Sequence, residues 1–374
     1  MREKKLFTPG PLGVSLSTKQ AMLVDLGSRD LEFIQTVKSI RSRLVELAGV
    51  SSDDYTCVPV QGSGTFAIEA VFTSTIPRTN GKVLVLENGA YGRRFGQILK
   101  VLGVDFKILT FLENEKVDVG LVEETLRGTQ GWTNVAVVHC ETSSGVINPI
   151  GEIGRLVKEC VPDASYFVDA MSSFGAVDID FTASKIDFLV SSANKCLEGV
   201  PGFSYAICRK DKLTGCKGWS RSLSLDLVSQ WETLEQTGQF RFTPPTHCML
   251  AFKQALTELE EEGGISERRK RYKENNRIIC EGMKAFGFKT LLDDTHDGFI
   301  ITSFHYPQHD NFNFKDFYTR LQEKDQVIYP GKVTKTDCFR IGNIGHVFPR
   351  DMRYLLQCVQ EVCSDMGIPL PLKE

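Results

Sequence analysis

The sequence predicts an α/β protein: a mostly parallel, seven-stranded sheet with helices on both faces, followed by a smaller α+β unit. Three observations carry this. Short apolar runs alternate with helical stretches through the first two thirds of the chain. The chemically capable residues fall where apolar runs end or helices begin, the edge at which parallel sheets bind ligands. Beyond residue 264 the order changes to a compact strand–helix–strand–strand–helix unit, which places a large domain at 1–264 and a small one at 265–374.

Composition narrows the class. The chain has 374 residues, enough for two domains, and is 41% hydrophobic and 24% charged, as in ordinary globular proteins. A net charge of -3 gives no support for nucleic-acid or anionic membrane partners, and no apolar run approaches a membrane span. The 11 cysteines are scattered without CxxC pairs or metal-ligand spacing, which suits reduced thiols in the cytoplasm and no metal. The opening MREKKLFTPGPLG lacks the apolar core of a secretory signal, and PLKE is not a Ser-Lys-Leu address.

Thr8 to Pro11 is a stiff turn that cannot be helical. Residues 1–20 are expected to form an arm packed on the small domain. Phe33 to Leu47 is helical, and Gln61 to Thr65 is a glycine-flanked turn that opens the helix beginning at Phe66. Strand Lys82–Leu86 leads through the turn Asn88–Gly92 to helix Phe95–Leu102. Strand Val104–Phe111, helix Val119–Arg127, strand Asn134–Val138 and helix Ile150–Cys160 follow. Apolar runs then end at Asp169 and at Val190, and Gly202–Cys208 completes the group. Ser222–Gly238 gives a mixed signal. Thr246 reads as the N-cap of a helix to Glu262, and Ile265–Phe286 as a second helix whose run Glu267–Glu274 is a solvated face. Strand Gly298–Tyr306, helix Phe314–Glu323, strands Val327–Tyr329 and Cys338–Ile341, and helix Asp351–Met366 complete the small domain.

Two run ends carry the chemistry. Ile186–Val190 breaks into Ser191, Ser192, Ala193 and Asn194 and then presents Lys195. A lysine leaving a buried strand can be desolvated into a nucleophilic amine; the plain alternative is a surface lysine. Tyr166–Val168 ends in Asp169, which could equally be an N-cap. Together they match pyridoxal phosphate, whose aldehyde joins a lysine and whose ring nitrogen pairs with a carboxylate. The Gly62–Thr65 turn is a phosphate cradle or an ordinary capping turn. Tyr91 can stack on a flat ring or pack in the core. Arg340, in an apolar strand before Gly342 and Gly345, can hold an anion with its planar fork or form a structural ion pair.

These motifs together resemble the class V aminotransferases of fold type I. The resemblance rests on TPGPL at 8–12, QGSGT at 61–65, NGAYG at 88–92 and VDAMSSFG at 168–175. It continues through SSANKC and GVPGF around Lys195, CKG and SRSLSLDL between 216 and 227, RFT and PTH near Thr243, and VIYPGKV and DCFRIGNIG around Arg340. Within the class the chain is most similar to the members that transfer an amino group from 2-aminoethylphosphonate to pyruvate by a ping-pong route. The resemblance implies that Lys195 carries the cofactor and shuttles the proton, and that Asp169 pairs with the ring nitrogen. It implies Ser63, Gly64 and Thr65 at the phosphate, with Asn194 beside it, Tyr91 on the ring and Thr142 at the phenolic oxygen. Thr243 would reach the phosphate of a neighbouring subunit in a homodimer, and Arg340 would hold the substrate anion. The segment Asp25–Phe33 departs from the family pattern, with Arg29 at the substrate entrance where a tryptophan and aspartates are common. Alternatives are an alanine–glyoxylate or serine–pyruvate aminotransferase, a lyase on a related aminophosphonate, and a non-catalytic cofactor carrier.

Overall fold

The computed structural model describes residues 2–293, 296, 298–331 and 337–372. The chain opens with β1 (Lys5–Leu6), α1 (Leu16–Gln20), α2 (Leu31–Leu47), β2 (Tyr55–Gln61), α3 (Gly64–Thr75), β3 (Lys82–Glu87), α4 (Ala90–Leu102), β4 (Asp105–Thr110) and α5 (Val119–Gly128). It continues with β5 (Asn134–Val138), β6 (Cys140–Glu141), β7 (Val146–Ile147), α6 (Ile150–Cys160), β8 (Ser165–Asp169), β9 (Phe188–Ser192), β10 (Phe203–Arg209), α7 (Lys210–Gly215), α8 (Leu227–Thr237) and α9 (Thr246–Glu262). The rest is α10 (Gly264–Ala285), β11 (Ile301–His305), α11 (Phe314–Glu323), β12 (Gln326–Val327), β13 (Tyr329–Pro330), β14 (Cys338–Gly342) and α12 (Pro349–Asp365).

A seven-stranded sheet in the order β2-β10-β9-β8-β5-β3-β4 forms the spine. Only β10 runs against the others. The central strands are continuous apolar runs, KVLVLE, NVAVV and SYFVD, because helices cover both faces and leave no side wet. Phe72 of α3 meets Phe95 of α4 and Phe167 of β8 edge-on, at 5.3 and 5.1 Å between ring centroids. Burying one such side chain contributes about 1.5–3 kcal/mol. The mixed stretch at 222–238 resolves into α8, held at its start by the Asp226 side chain on the Ser229 amide. The helix after Thr243 begins at Thr246 itself with Pro245 as its cap, so Thr246 is inside the helix and not the N-cap.

A second apolar core gathers Phe304, Phe317, Phe339, Met352 and Val359, together with Phe7 from the N-terminal arm. Strands β11, β14 and β13 make its sheet, with Arg340 paired to Ser303 on one side and Tyr329 on the other. The arm is tied there by backbone: β1 pairs in parallel with β12, and the Gly342 amide donates to Phe7 O at 2.9 Å.

One sequence expectation fails in part on α10. The run 267–274 is only partly a solvated face: Glu267, Lys270 and Lys273 are exposed, but the other side of the helix turns charge inward. Arg268 and Tyr272 are buried, and with Arg271 they enclose Glu198, three residues beyond Lys195. Tyr272 donates to Glu198 Oε1 at 2.5 Å, and Arg268 donates to Cys196 O at 2.8 Å. Arg271 also reaches Glu262 and the carbonyls of Gly345 and Val347. The cations face inward because buried acids and carbonyls compensate them. Among the described residues no helix is long and apolar enough to cross a membrane, no group of side chains is arranged to hold a metal, and no disulfide joins the cysteines.

Candidate active site

Parallel strands deliver their C-terminal ends to one edge of the sheet, and that edge bounds a cavity of about 420 Å³. Strand β2 ends at Gln61 and hands over to the turn that starts α3. Strand β3 ends ahead of Tyr91, β5 ahead of Cys140 and Thr142, β8 at Asp169, and β9 ahead of Asn194 and Lys195. Ser63, Gly64, Thr65, Tyr91, Thr142, Asp169, Asn194 and Lys195 all line the cavity. Gly10 and Pro11 of the arm line it as well.

The start of α3 is open to an anion. Gly62 has φ +110°, a backbone that favours glycine, and lets the chain turn sharply into the helix. Ser63 occupies the N-cap position, yet its hydroxyl makes no capping bond. A side chain at Gly64 would strike Met171, with Cβ 2.4 Å from Sδ. The first amides of α3 and the hydroxyls of Ser63 and Thr65 therefore bound the cavity without bulk between them.

Asp169 is buried and accepts the Met171 amide on Oδ1 at 2.8 Å. Its Oδ2 is buried with no partner among the described residues. Burial pushes its carboxyl up to about 7 against the pull of the Met171 N–H. A buried carboxylate oxygen left over at a cavity wall fits a ring N–H donor, such as the protonated nitrogen of a pyridine. Lys195 donates from Nζ to Pro9 O at 2.7 Å, and burial draws its ammonium down to about 8. A Cβ at Gly10 would lie 2.7 Å from that Nζ, so glycine there leaves the amine its room.

Arg340 lies behind Thr142 rather than in the cavity wall. It donates to Thr142 O at 2.7 Å and to Pro330 O at 2.9 Å, and stacks 4.8 Å from the centre of the Tyr329 ring. Its Nε is buried without a partner, and it has no carboxylate partner among the described residues. Burial lowers its pKa from the usual arginine value. Thr243 is exposed and does not line this chain's cavity, and Arg29 is exposed as well. Lys332 and Val333 of the VIYPGKV motif lie outside the described residues.

The sequence reading missed two charged residues here. Glu141 is buried against the start of α4, where its carboxylate accepts the amides of Tyr91 and Gly92 at 3.2 and 3.4 Å and the Ser143 hydroxyl at 2.6 Å. Burial raises its pKa, and those donors oppose the shift. It anchors the helix turn that presents Tyr91. Arg94 lines the cavity one helical turn beyond Tyr91; that spacing on a helix was the available signal.

Residues 18–335 match the family model described as aminotransferase class-V. Over 363 residues the chain is 49% identical to the 2-aminoethylphosphonate–pyruvate transaminase of Bacteroides fragilis, covering 96% of this chain and 99% of that protein. It is 48% identical over 357 residues to the bifunctional phosphonoacetaldehyde hydrolase/aminoethylphosphonate transaminase of Clostridioides difficile, covering 95% of this chain and 56% of that protein. Its fold is similar to that of pyridoxamine–pyruvate aminotransferase from Mesorhizobium loti, with a TM-score of 0.88 over 99% of this chain and 94% of that one. At 24% identity that likeness speaks for the fold alone.

Proposed function

The chain belongs to the class V aminotransferases and works with pyridoxal phosphate; from that premise we propose that it moves the amino group of 2-aminoethylphosphonate to pyruvate, giving phosphonoacetaldehyde and L-alanine. The observation that carries the substrate choice is Arg340, a buried guanidinium with no carboxylate partner among the described residues, set against the cavity wall. A guanidinium has five N–H donors, and the two carbonyl contacts leave donors for a substrate anion. One fork serves phosphonate and carboxylate in turn, which suits a ping-pong route with both halves in one site. The name of one close relative gives the same pair of substrates, and the name of the other gives the same amino donor and joins the activity to a hydrolase of the aldehyde product.

Bound in the cavity, pyridoxal phosphate supplies a conjugated ring that accepts electron density from the substrate's amine-bearing carbon. The chain's residues do the rest. Asp169, through its unpartnered Oδ2, favours a proton on the ring nitrogen. The Lys195 amine, made less basic by burial, would hold the cofactor, take the proton from the donor's amine-bearing carbon in the first half-reaction and deliver one to the acceptor's carbon in the second. Ser63, Gly64 and Thr65 are assigned to the phosphate, Asn194 beside them, Tyr91 to the ring face and Thr142 to the phenolic oxygen.

We further read the protein as a cytoplasmic homodimer of chains with a large region 1–264 and a small region 265–374. The two separate apolar cores support that division. The exposure of Thr243 supports its service to a second copy's cofactor. The test of function is an amino-donor profile with pyruvate as acceptor. 2-Aminoethylphosphonate should give the highest kcat/KM, with aldehyde and L-alanine formed in equal amounts. Faster turnover of L-serine, or of L-alanine with glyoxylate, would move the chain to another activity of its class.

A further inference from the structure

Besides Arg340 behind the wall, one guanidinium lines the cavity itself and has no ion-pair partner among the described residues. Arg94 stacks on Tyr91, 4.9 Å from the ring centre, and its Nη1 donates to Thr65 Oγ1 at 3.1 Å. Arg94, Tyr91 and Thr65 all line the cavity. The neighbouring Arg93 is neutralised by Glu87 and Glu113, whereas Arg94 has no carboxylate partner among the described residues. A half-buried cation whose partners are one hydroxyl and one ring is poised for an anion.

The surroundings say which anion. Thr65 lies in the first turn of α3, beside the uncommitted Ser63 hydroxyl. A phosphate monoester carries about 1.5–2 negative charges near neutral pH. The end of a helix offers only about half a positive charge. The cradle by itself leaves a full negative charge unmatched, and Arg94 stands next to it. By occupying a lone pair of Thr65 Oγ1, the arginine also leaves that hydroxyl's proton free to donate to the ligand.

We propose that Arg94 is the cation of the phosphoryl end of the site, binding the phosphate of pyridoxal phosphate while Arg340 keeps the substrate anion. The proposal rests on the reading of Ser63–Thr65 as the phosphate cradle. The donor's phosphonate has the same chemistry, so the experiment must separate the two.

Apoprotein of the wild type, Arg94→Gln and Arg94→Lys, each first shown to unfold at the wild-type temperature, is titrated with pyridoxal phosphate and with pyridoxal. Arg94→Gln should bind pyridoxal phosphate on the order of 10- to 100-fold more weakly, the loss of one charged hydrogen-bonding partner. Its affinity for pyridoxal, which lacks the phosphate, should stay as in the wild type, and Arg94→Lys should recover part of the loss. In the second arm the KM for 2-aminoethylphosphonate is compared with that for L-alanine at saturating cofactor. A rise for the phosphonate alone, with cofactor affinity intact, would overturn the proposal, because it would make the donor's phosphonate the ligand of Arg94. Wild-type values in both arms would overturn the proposal, and so would an equal loss for pyridoxal and pyridoxal phosphate, which would make Arg94 a shaper of the cavity only. A wild-type protein with no preference for pyridoxal phosphate over pyridoxal would remove the cradle itself and the proposal with it.

Discussion

At the scale of single residues, the site is a pair of opposed charge losses. Burial lowers Lys195 to about 8 and raises Asp169 to about 7, and each shift favours the neutral form. Only the neutral amine attacks a carbonyl, and below pH 8 its fraction falls about tenfold per pH unit. The rate at which apoprotein takes up pyridoxal phosphate covalently should therefore climb about tenfold per unit up to pH 8 and level off above it. Borohydride reduction at timed points, read by mass spectrometry, measures this, and Lys195→Ala should show no adduct. A rate still climbing at pH 10 would mean an amine as basic as in water. Arg340 gives a second prediction. Arg340→Ala should slow both half-reactions by about one to two orders of magnitude in kcat/KM, the loss of one charged hydrogen-bonding group from each substrate. Arg340→Lys should recover only part, since a point charge replaces a fork. Rapid mixing of donor with one enzyme form and pyruvate with the other separates the halves; a defect in the pyruvate half alone would assign the phosphonate to another cation. The place of Lys195 and Asp169 on the cavity wall was legible because small residues at strand ends have few other uses. Glu141 and Arg94 were not: their meaning lies in Gly92 and Thr65, each brought to them by another element.

At the scale of elements, the alternation of apolar runs and helices was enough to read most of the large sheet. It left β2 unassigned, a run that carries Pro59. The proline is tolerated because β2 is an edge strand, paired on one side with β10. Charge patterning misled on α10, because the acids that draw Arg268 and Arg271 inward belong to other segments. The close packing of the arm on β14 gives the next prediction. A Cβ at Gly342 would lie 2.4 Å from Thr8 O and 2.6 Å from Thr8 C, both backbone atoms that cannot swing aside. Gly342→Ala should cost about 1–3 kcal/mol by overpacking. It should also slow cofactor uptake, because the displaced arm carries the Pro9 carbonyl that holds Lys195. Thermal unfolding and the uptake assay read the two effects, and a variant as stable as the wild type would show that the arm and strand are not in firm contact.

At the scale of the whole molecule, an open apolar groove of about 500 Å³ includes Phe66 and Phe242, each about half exposed, next to Thr243. If Thr243 completes a partner's site, two different defects can be sorted into one subunit pair. Thr243→Ala and Lys195→Ala, co-expressed with separate tags and purified as the mixed dimer, place both defects in one site and leave the other intact. That dimer should show about half the wild-type turnover. Activity no higher than the mean of the two parents would mean that each subunit works alone. The pairing of β1 with β12 has a consequence for synthesis. Lys5 and Leu6 leave the ribosome about 320 residues before Gln326 and Val327, the strand that receives them. At roughly 5–20 residues per second, the arm waits on the order of half a minute for its place. During that interval the nascent chain can already contain every strand of the large sheet, while the Pro9 carbonyl that steadies Lys195 has no fixed address. The reactive amine is thus finished late, by a piece of the chain made early.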